Sequence, residues 1–344
     1  MTTLSDLTRR DFLKLSGVGL LGLLLSELQL DQALALSPPS ASQGRVVFSG
    51  IDLYDIPSFN GKILKVFGKD EIVTISAEVT SEDQTTYNRL WYRIEDKGYA
   101  YSGWIQPVRT VYNKPRYTIP ASGVLGEITI PYVDTYDLAG SSYDRNYRLY
   151  YGATHWIQET IVNSSEQTIW YRLYDKKIDG SYFAPAQALR VIPDEELKPL
   201  SSLVPGDLKY IYVDLTSQSL IAFEDDKPVL ISSLSSGSKG SRTPLGIYKT
   251  FHKGPSIHMT NDEGDKSTYD LPGVPWVTFF TGTGISFHGT YWHNDFGRPK
   301  SHGCINLPLA AAKFIYRWSL PTVPPDTPYL YKPGQGTTVQ IVKP

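Results

Sequence analysis

The sequence is poor in cysteine, in methionine and in net charge. It has one cysteine and two methionines in 344 residues, and its 33 Lys and Arg nearly balance its 35 Asp and Glu. A single cysteine excludes an internal disulfide, and the charge balance lacks the basic excess typical of nucleic-acid binding. The uncharged run at 15–26 is shorter than the roughly 20 apolar residues that span a bilayer. Disulfide scaffolds and nucleic-acid partners are therefore not expected.

Aromatic and turn-forming residues are abundant instead. The chain has 24 Tyr, 7 Trp, 28 Gly and 24 Pro, a usage that favours strands and turns over long helices. Its length is sufficient for two or three domains. We therefore predict a mainly β protein of several domains.

The first 35 residues have the features of a targeting segment. Arg9 and Arg10 precede the uncharged run at 15–26, and Ala33-Leu34-Ala35 places small residues at the spacing of a cleavage site. This resembles a twin-arginine signal, which implies the twin-arginine translocase as a partner and export to the cell wall or periplasm. We predict cleavage after Ala35 and no stable membrane span afterwards. The alternatives are an N-terminal membrane anchor and an amphipathic helix of the folded domain.

Residues 46–193 contain a weak internal duplication. The run Trp91-Tyr92-Arg93-Ile94 is echoed by Trp170-Tyr171-Arg172-Leu173, at an offset of about 80 residues. The same offset pairs Tyr101 with Tyr182. Each copy is short, aromatic and interrupted by Gly, Pro or Asn, which predicts a meander of strands.

The first copy resembles a bacterial SH3-like module, on the run from Trp91 to Ile105. The resemblance implies two small β-barrels, at residues 46–115 and 125–193, of a kind that accompanies cell-wall enzymes. We interpret them either as modules that bind wall peptide or as spacers with aromatic cores. Proline, serine and acidic residues predict a linker at 194–207.

A third domain begins with alternating apolar residues. Residues 210–215 and 220–223 flank a turn, which predicts a β-hairpin. The Gly- and Ser-rich run at 235–246 lacks the Gly-Lys-Ser/Thr ending of a phosphate loop. Residues 253–273, rich in Asp, Gly, Ser and Pro, predict a loop or lid.

The only cysteine lies beside a cluster of histidines, and together they supply the minimum for acyl transfer. Five of the six histidines fall at 252–302, just before Cys304. A free thiol is only a few per cent thiolate at pH 7, and a neighbouring imidazole can take its proton. Gly303 leaves room for a substrate carbonyl beside main-chain amides that hold an oxyanion. Pro308 opens a predicted helix, 308–318, whose positive end would favour a thiolate.

These residues also form a known pattern. His288, followed after a dozen residues by Ser301-His302-Gly303-Cys304-Ile305-Asn306, resembles the L,D-transpeptidase (YkuD) signature. Residues 242–248 resemble the Thr-Pro-x-Gly element upstream of that signature. The resemblance covers residues 208–343. It implies a β-sandwich domain with a short helix, peptidoglycan stem peptides as substrate, and no metal or organic cofactor.

The resemblance also implies catalytic roles. Cys304 would be the nucleophile, and His288 would accept and donate the proton. The carbonyl of Gly289 would orient the His288 ring. His302 is the second candidate base, and its amide, with those of Gly303 and Cys304, is a candidate for the oxyanion hole.

Other residues would shape the substrate side of the site. Ser301 and Asn306 would fix the loop by hydrogen bonds. Three more would either line the substrate groove or, for the aromatic pair, pack in the core: Tyr291, Trp292 and Arg298.

The implied reaction is cross-linking of stem peptides through a Cys304 thioester. Hydrolysis of the same thioester would make the protein an L,D-carboxypeptidase. A catalytically inactive wall-binding protein would lack the nucleophile or the base, and this sequence has both. For the cluster itself, the alternatives are a core role by chance and a metal site. That metal site would use four ligands: His288, His293, His302 and Cys304.

Overall fold

The protein is built mainly of β-strands, as the composition predicts. The computed structural model describes residues 43–83, 87–140, 145–163, 168–261 and 269–344. The predicted signal at 1–35 lies outside them. The described strands form four sheets, two of seven strands and two of five. Within the described residues, no helix is long and apolar enough to cross a membrane.

The first sheet, which we call module 1, has the spatial order β3-β2-β6-β5-β4-β1-β7. Its strands are β1 Gln43–Val46, β2 Ile51–Tyr54, β3 Ile63–Phe67, β4 Ile72–Thr80, β5 Leu90–Ile94, β6 Gly98–Tyr101 and β7 Ile105–Val108.

The second sheet, which we call module 2, has the order β10-β9-β13-β12-β11-β8-β14, the same order displaced by seven strands. Its strands are β8 Val124–Ile128, β9 Tyr132–Tyr136, β10 Arg145–Tyr150, β11 Thr154–Asn163, β12 Thr168–Asp175, β13 Gly180–Pro185 and β14 Leu189–Val191.

The strand register corrects one expected equivalence between the copies. Trp91 lies opposite Tyr101 in module 1, whereas its counterpart Trp170 lies opposite Pro185 in module 2. Tyr182 lies three residues earlier, opposite Leu173. The hairpin between the two strands is longer in the second copy, so a constant offset in sequence does not match positions in space. The structural counterpart of Tyr101 is therefore Pro185.

The C-terminal domain consists of two five-stranded sheets and a helix. One sheet has the order β17-β16-β15-β24-β18 and the other β22-β21-β20-β19-β23. The elements are β15 Lys209–Asp214, β16 Ser219–Glu224, β17 Lys227–Ser233, β18 Gly246–Lys249, β19 His252–Thr260, β20 Asp270–Phe279, β21 Ser286–Gly289, β22 Ile305–Leu307, α1 Leu309–Trp318, β23 Leu330–Tyr331 and β24 Thr338–Val342.

The hairpin and the helix predicted for this domain are confirmed. β15 pairs with β16 in an antiparallel register, and every second residue of β15 is buried, as alternation requires. α1 begins one residue after Pro308, where proline costs no helical hydrogen bond. Its apolar face, including Phe314, Ile315 and Trp318, packs in the same core as both sheets.

The segment predicted to be a loop at 253–273 is mostly strand. β19 and β20 pair over almost their full length, and residues 262–268 at the tip lie outside the described part. Its prolines wrongly indicated a loop. Pro255 and Pro272 in fact lie in β19 and β20, and a strand tolerates the missing N–H donor of proline where its pairing is irregular. The register of the pair indeed shifts after Ile257. A long hairpin, not a loop, therefore stands beside the site.

The segment at 194–207, predicted to be a linker, lies against α1. The carboxylate of Glu196 accepts hydrogen bonds from Arg190 at 2.6 Å and from Lys313 of the helix at 2.7 Å. The amide of Leu200 donates to the carbonyl of Arg317. These contacts anchor module 2 and the C-terminal domain to each other.

Candidate active site

The structure brings the neighbourhoods of His288 and Cys304 together through two parallel strands. His288 lies in β21, and Cys304 immediately precedes β22. In the register of this pair, Phe287 lies opposite Ile305 and His288 opposite Asn306. The pairing of β21 with β22 thus brings the two segments next to each other, although the loop at 290–300 separates them in the sequence.

The thiol of Cys304 is uncharged in its surroundings. Its Sγ lies 3.6 Å from Ser286 Oγ and 3.7 Å from the carbonyl of Gly284. Burial raises the pKa of the thiol, and the hydrogen bond from Ser286 opposes this only in part. The sequence predicted a thiolate, whereas the burial of Cys304 favours the protonated thiol.

The imidazole of His288 is uncharged too. It is 2% exposed, and burial lowers its pKa to about 4. Nδ1 donates to the carbonyl of Gly289 at 3.1 Å, which leaves Nε2 as the acceptor nitrogen. The ring of Trp292 lies over it at 5.6 Å between centroids. At neutral pH the ring is therefore uncharged, and Nε2 carries the lone pair that can take up a proton.

The turn that carries Cys304 is held from both sides. Gly303 has a φ of +123°, a conformation that favours glycine. Ser301 Oγ accepts the amide of Gly303 at 3.1 Å and donates to the carbonyl of Cys304. Of the three predicted oxyanion amides, that of Gly303 is thus already engaged.

Thr243 also stabilises this turn, a role that the sequence analysis did not predict. Its Oγ1 donates to the carbonyl of Gly303 at 2.7 Å and accepts the amide of Gly237 at 2.9 Å. The only sequence signal was its place in the Thr-Pro-Leu-Gly run at 243–246. The element at 242–248 therefore supports the turn that carries Cys304 directly.

The loop at 290–300 contains a second histidine, His293, which is buried. Its Nδ1 accepts the amide of Asp295 at 3.2 Å, and its Nε2 lies 2.9 Å from the side-chain nitrogen of Asn306. A neutral imidazole has one acceptor nitrogen, and Asn306 Oδ1 is buried without a partner. The Asn306 amide therefore fits best turned over, so that its oxygen accepts from Nε2.

Asp295 fixes the same loop from within. Its carboxylate is fully buried and binds Tyr101 Oη at 2.8 Å, Lys300 Nζ at 2.8 Å, and Arg298. Burial opposes its ionisation, but the hydrogen bonds from Lys300 and Tyr101 lower its pKa overall. Arg298, predicted to line the substrate groove, is thus bound to the loop itself.

The remaining predicted residues lie in different surroundings. Tyr291 is buried, stacks on Tyr150 of module 2 and donates to the carbonyl of Pro272 at 2.9 Å. His302 is exposed, with its ring 5.3 Å from that of Tyr269. No group of three or more His, Cys, Asp or Glu among the described residues is arranged to hold a metal ion.

Three solved structures are similar to parts of this chain. An Enterococcus faecium L,D-transpeptidase mutant is 24% identical over 39% of this chain and 49% of its own, with a TM-score of 0.32. The catalytic domain of the E. faecium enzyme acylated by ertapenem is 25% identical over 39% of this chain and 96% of its own, with a TM-score of 0.30. An L,D-transpeptidase from Stackebrandtia nassauensis is 23% identical over 44% of this chain and 62% of its own, with a TM-score of 0.29.

This chain thus spans about half of the first of these structures. No curated protein matches the chain. Residues 208–341 match the family model of YkuD, the L,D-transpeptidase catalytic domain.

Proposed function

We propose that the protein is an L,D-transpeptidase that cross-links peptidoglycan stem peptides through a Cys304 thioester. The observation that carries the proposal is a thiol placed immediately before β22 and a neutral, buried imidazole in β21, the strand that runs parallel to it. The match of residues 208–341 to the YkuD model supports it independently.

The first half of the reaction starts from an uncharged pair. Cys304 Sγ attacks the carbonyl carbon between the third and fourth stem residues, and its proton passes to His288 Nε2. The resulting oxyanion is held by main-chain amides, for which those of His302 and Cys304 are the candidates. His288 then gives the proton to the leaving amine, the C–N bond breaks, and a thioester remains.

The second half reverses these roles. An acceptor amine from another stem attacks the thioester, and His288 takes the proton that the amine loses. The carbon–sulfur bond breaks, and the departing sulfur recovers that proton. If water attacks instead, the product is a shortened stem, and the protein acts as an L,D-carboxypeptidase.

The proposed reaction requires a location outside the cytoplasm, where peptidoglycan is. The predicted twin-arginine signal at 1–35 would deliver the protein to the cell wall or periplasm through the twin-arginine translocase. Replacing Arg9 and Arg10 together by Lys should then leave the precursor in the cytoplasm, as measured by cell fractionation. Unchanged export would count against this route.

Intact-mass spectrometry after incubation with a purified tetrapeptide stem tests the chemistry. We expect the wild-type protein to gain the mass of the stem without its last residue, and Cys304→Ala to gain nothing. Addition of an acceptor stem should discharge the adduct into a cross-linked dimer; release of a tripeptide alone would show hydrolysis. Ertapenem serves as a second acylating probe.

The base is assigned by two matched variants. His288→Ala should slow acylation by a hundredfold or more, because the positioned proton acceptor is lost, whereas His302→Ala should have a mild effect. If neither probe ever adds mass to wild-type Cys304, the proposed function is wrong. If His302→Ala is the severe variant, the chemistry stands and the base is His302.

A further inference from the structure

Module 1 reaches the loop that joins the two proposed catalytic residues. Tyr101 Oη donates to Asp295 Oδ1 at 2.8 Å, and both groups are buried. A guanidinium nitrogen of Arg45 donates to the carbonyl of Tyr291 at 2.6 Å. The amide of Asn294 donates to the carbonyl of Gly103 at 3.2 Å. Three of the loop's polar groups thus have partners in a different domain.

The loop has little structure of its own to replace these contacts. Residues 290–300 form no helix or strand. Asp295 is fully buried. The loss of a hydrogen bond to a buried carboxylate costs free energy of folding, because the carboxylate cannot bond to water instead. Irregular loops open at low free energy unless outside contacts hold them. Its conformation therefore depends on the groups that module 1 supplies.

The loop is connected to the proposed chemistry at two points. Trp292 lies over the His288 ring, and His293 hydrogen-bonds Asn306, which pairs with His288 across the strands. Asp295 donates its amide to His293. A displacement of Asp295 is therefore passed to His288 through two intervening residues, His293 and Asn306.

Gly103 shows that the contact is closely fitted. A Cβ atom at this position would lie 2.7 Å from Asp295 Cβ and 2.6 Å from a ring carbon of Tyr101. Cβ atoms do not approach other heavy atoms this closely, so any side chain at 103 would push Asp295 or Tyr101 away. Gly103 of module 1 is thus closely fitted to the loop at 290–300.

We propose that module 1 is a positioning element of the active site, in which Tyr101 and Gly103 set the place of Asp295 and thereby of the loop over His288. The catalytic consequence rests on the proposed function. The mechanical coupling does not, because it concerns only the loop and its contacts.

Two variants disturb the contact in opposite ways, and one serves as control. Tyr101→Phe removes the hydroxyl and keeps the ring, whereas Gly103→Ala inserts a methyl group against Asp295. Tyr54→Phe is the control. It removes a partly buried hydroxyl of the same module, which donates to Asp52 at 3.2 Å and not to Asp295.

Hydrogen exchange on the full chain measures the coupling. The amides of Gly297, Lys300 and Ser301 bond to carbonyls of Leu234 and Ser236. We expect their protection to fall about tenfold in Tyr101→Phe and in Gly103→Ala, the effect of losing one buried hydrogen bond, and to stay unchanged in Tyr54→Phe. Unchanged protection in both test variants would overturn the proposal.

Acylation by ertapenem measures the consequence. We expect a roughly tenfold slower rate for Tyr101→Phe at a temperature where it is fully folded. Iodoacetamide alkylation of Cys304, the only cysteine, should change less than about twofold, because a small reagent needs no positioned base. Loss of protection without slower acylation would also overturn the proposal. If wild type is not acylated at all, the proposed function fails, and hydrogen exchange alone decides the coupling.

Discussion

The two modules have the same strand order but contact different parts of the C-terminal domain. Module 1 has Tyr101 opposite Trp91 and uses its hydroxyl to bind Asp295. Module 2 has Pro185 at the matching position, which has no side-chain donor. Module 2 instead contacts the β19–β20 hairpin: Thr154 donates to the carbonyl of Pro255 at 2.6 Å, and Asp175 binds His258 at 2.7 Å.

This difference shows that a duplicated fold need not have a duplicated role. In module 1 the strand β4 is mostly exposed, whereas the first four residues of its counterpart β11 are buried. The buried end lies against β19 and β20. One copy thus supports the loop at 290–300, and the other supports the hairpin beside it.

The largest effect is expected where both modules meet the C-terminal domain, at Arg45. This side chain is 1% exposed, pairs with Asp70 at 2.8 Å, binds Gln106, and stacks on Tyr150. Arg45→Met should lower the free energy of unfolding by about 2–4 kcal/mol, because Gln106 and the Tyr291 carbonyl lose their donor and Asp70 keeps only Arg148 as its partner. Urea unfolding measures the change.

The control for Arg45 is an exposed ion pair of the same module. Arg93 lies 3.3 Å from Asp96, and both side chains are largely solvent-accessible. Arg93→Met should cost less than about 1 kcal/mol. Equal costs for the two variants would mean that the junction adds nothing to stability.

Two glycines with similar backbone conformations, Gly152 and Gly50, distinguish the effect of the contact between module 2 and α1 from the effect of backbone strain. Gly152 has a φ of +79°, and a Cβ there would lie 2.3 Å from Leu309 of α1. Gly50 of module 1 has a similar φ of +74° with nothing within 4 Å. Gly152→Ala should cost about 1–3 kcal/mol more than Gly50→Ala, because only the former also forces a repacking. Indistinguishable thermal midpoints would contradict a tight fit at α1.

The hairpin contact of module 2 should depend on pH. His258 lies between Asp175 and Asp270, with Tyr147 and His155 nearby. Burial works against its charge, but the two carboxylates raise its pKa overall. The stability that it contributes is therefore complete below about pH 6.5 and is lost as pH rises through the raised value.

This dependence is measured as the difference in urea unfolding between wild type and His258→Gln. We expect a wild-type advantage of about 1 kcal/mol at pH 5.5, which shrinks by pH 8.5. The same comparison with Tyr101→Phe should show no such trend. A constant advantage across this range would show that His258 is not protonated in the contact.

The smallest effect is expected at Ser286, which lies in β21 beside Cys304. Its hydroxyl makes the hydrogen bond that partly offsets the effect of burial on the pKa of Cys304. Ser286→Ala should raise that pKa further and slow iodoacetamide alkylation at pH 8 by less than about tenfold. A shift of the pH profile toward acid would mean that Ser286 does not act on the thiolate.

The run around Cys304 could be proposed as a catalytic site from the sequence because its pattern is local and chemical. Cys304, Gly303 and His302 are adjacent, and thiol, imidazole and glycine have few uses together. The hairpin at 210–224 and the helix after Pro308 follow from alternation and from proline position, which are also local. Short-range signals of this kind need no knowledge of the rest of the chain.

The contacts between domains were not predictable for the opposite reason. Tyr101 and Asp295 are 194 residues apart, and nothing in either local run indicates the other. The β19–β20 hairpin was missed because its glycines and prolines are typical of turns, although burial of residues 272–278 on β20 shows that packing decided the strand. The expected equivalence of Tyr101 and Tyr182 was wrong because the hairpin in module 2 is longer than the one in module 1, and the sequence alone did not give its length.

Arg45 also has a consequence for the order in which the molecule is completed. It lies in the first described strand, and its partner carbonyl at Tyr291 is 246 positions later. Most of the polypeptide must therefore be synthesised before the Arg45 guanidinium can donate to the carbonyl of Tyr291. Contacts this distant in sequence form late, because the chain between them must first be closed. The hydrogen bond between Arg45 and the Tyr291 carbonyl is thus expected to be among the last contacts to form.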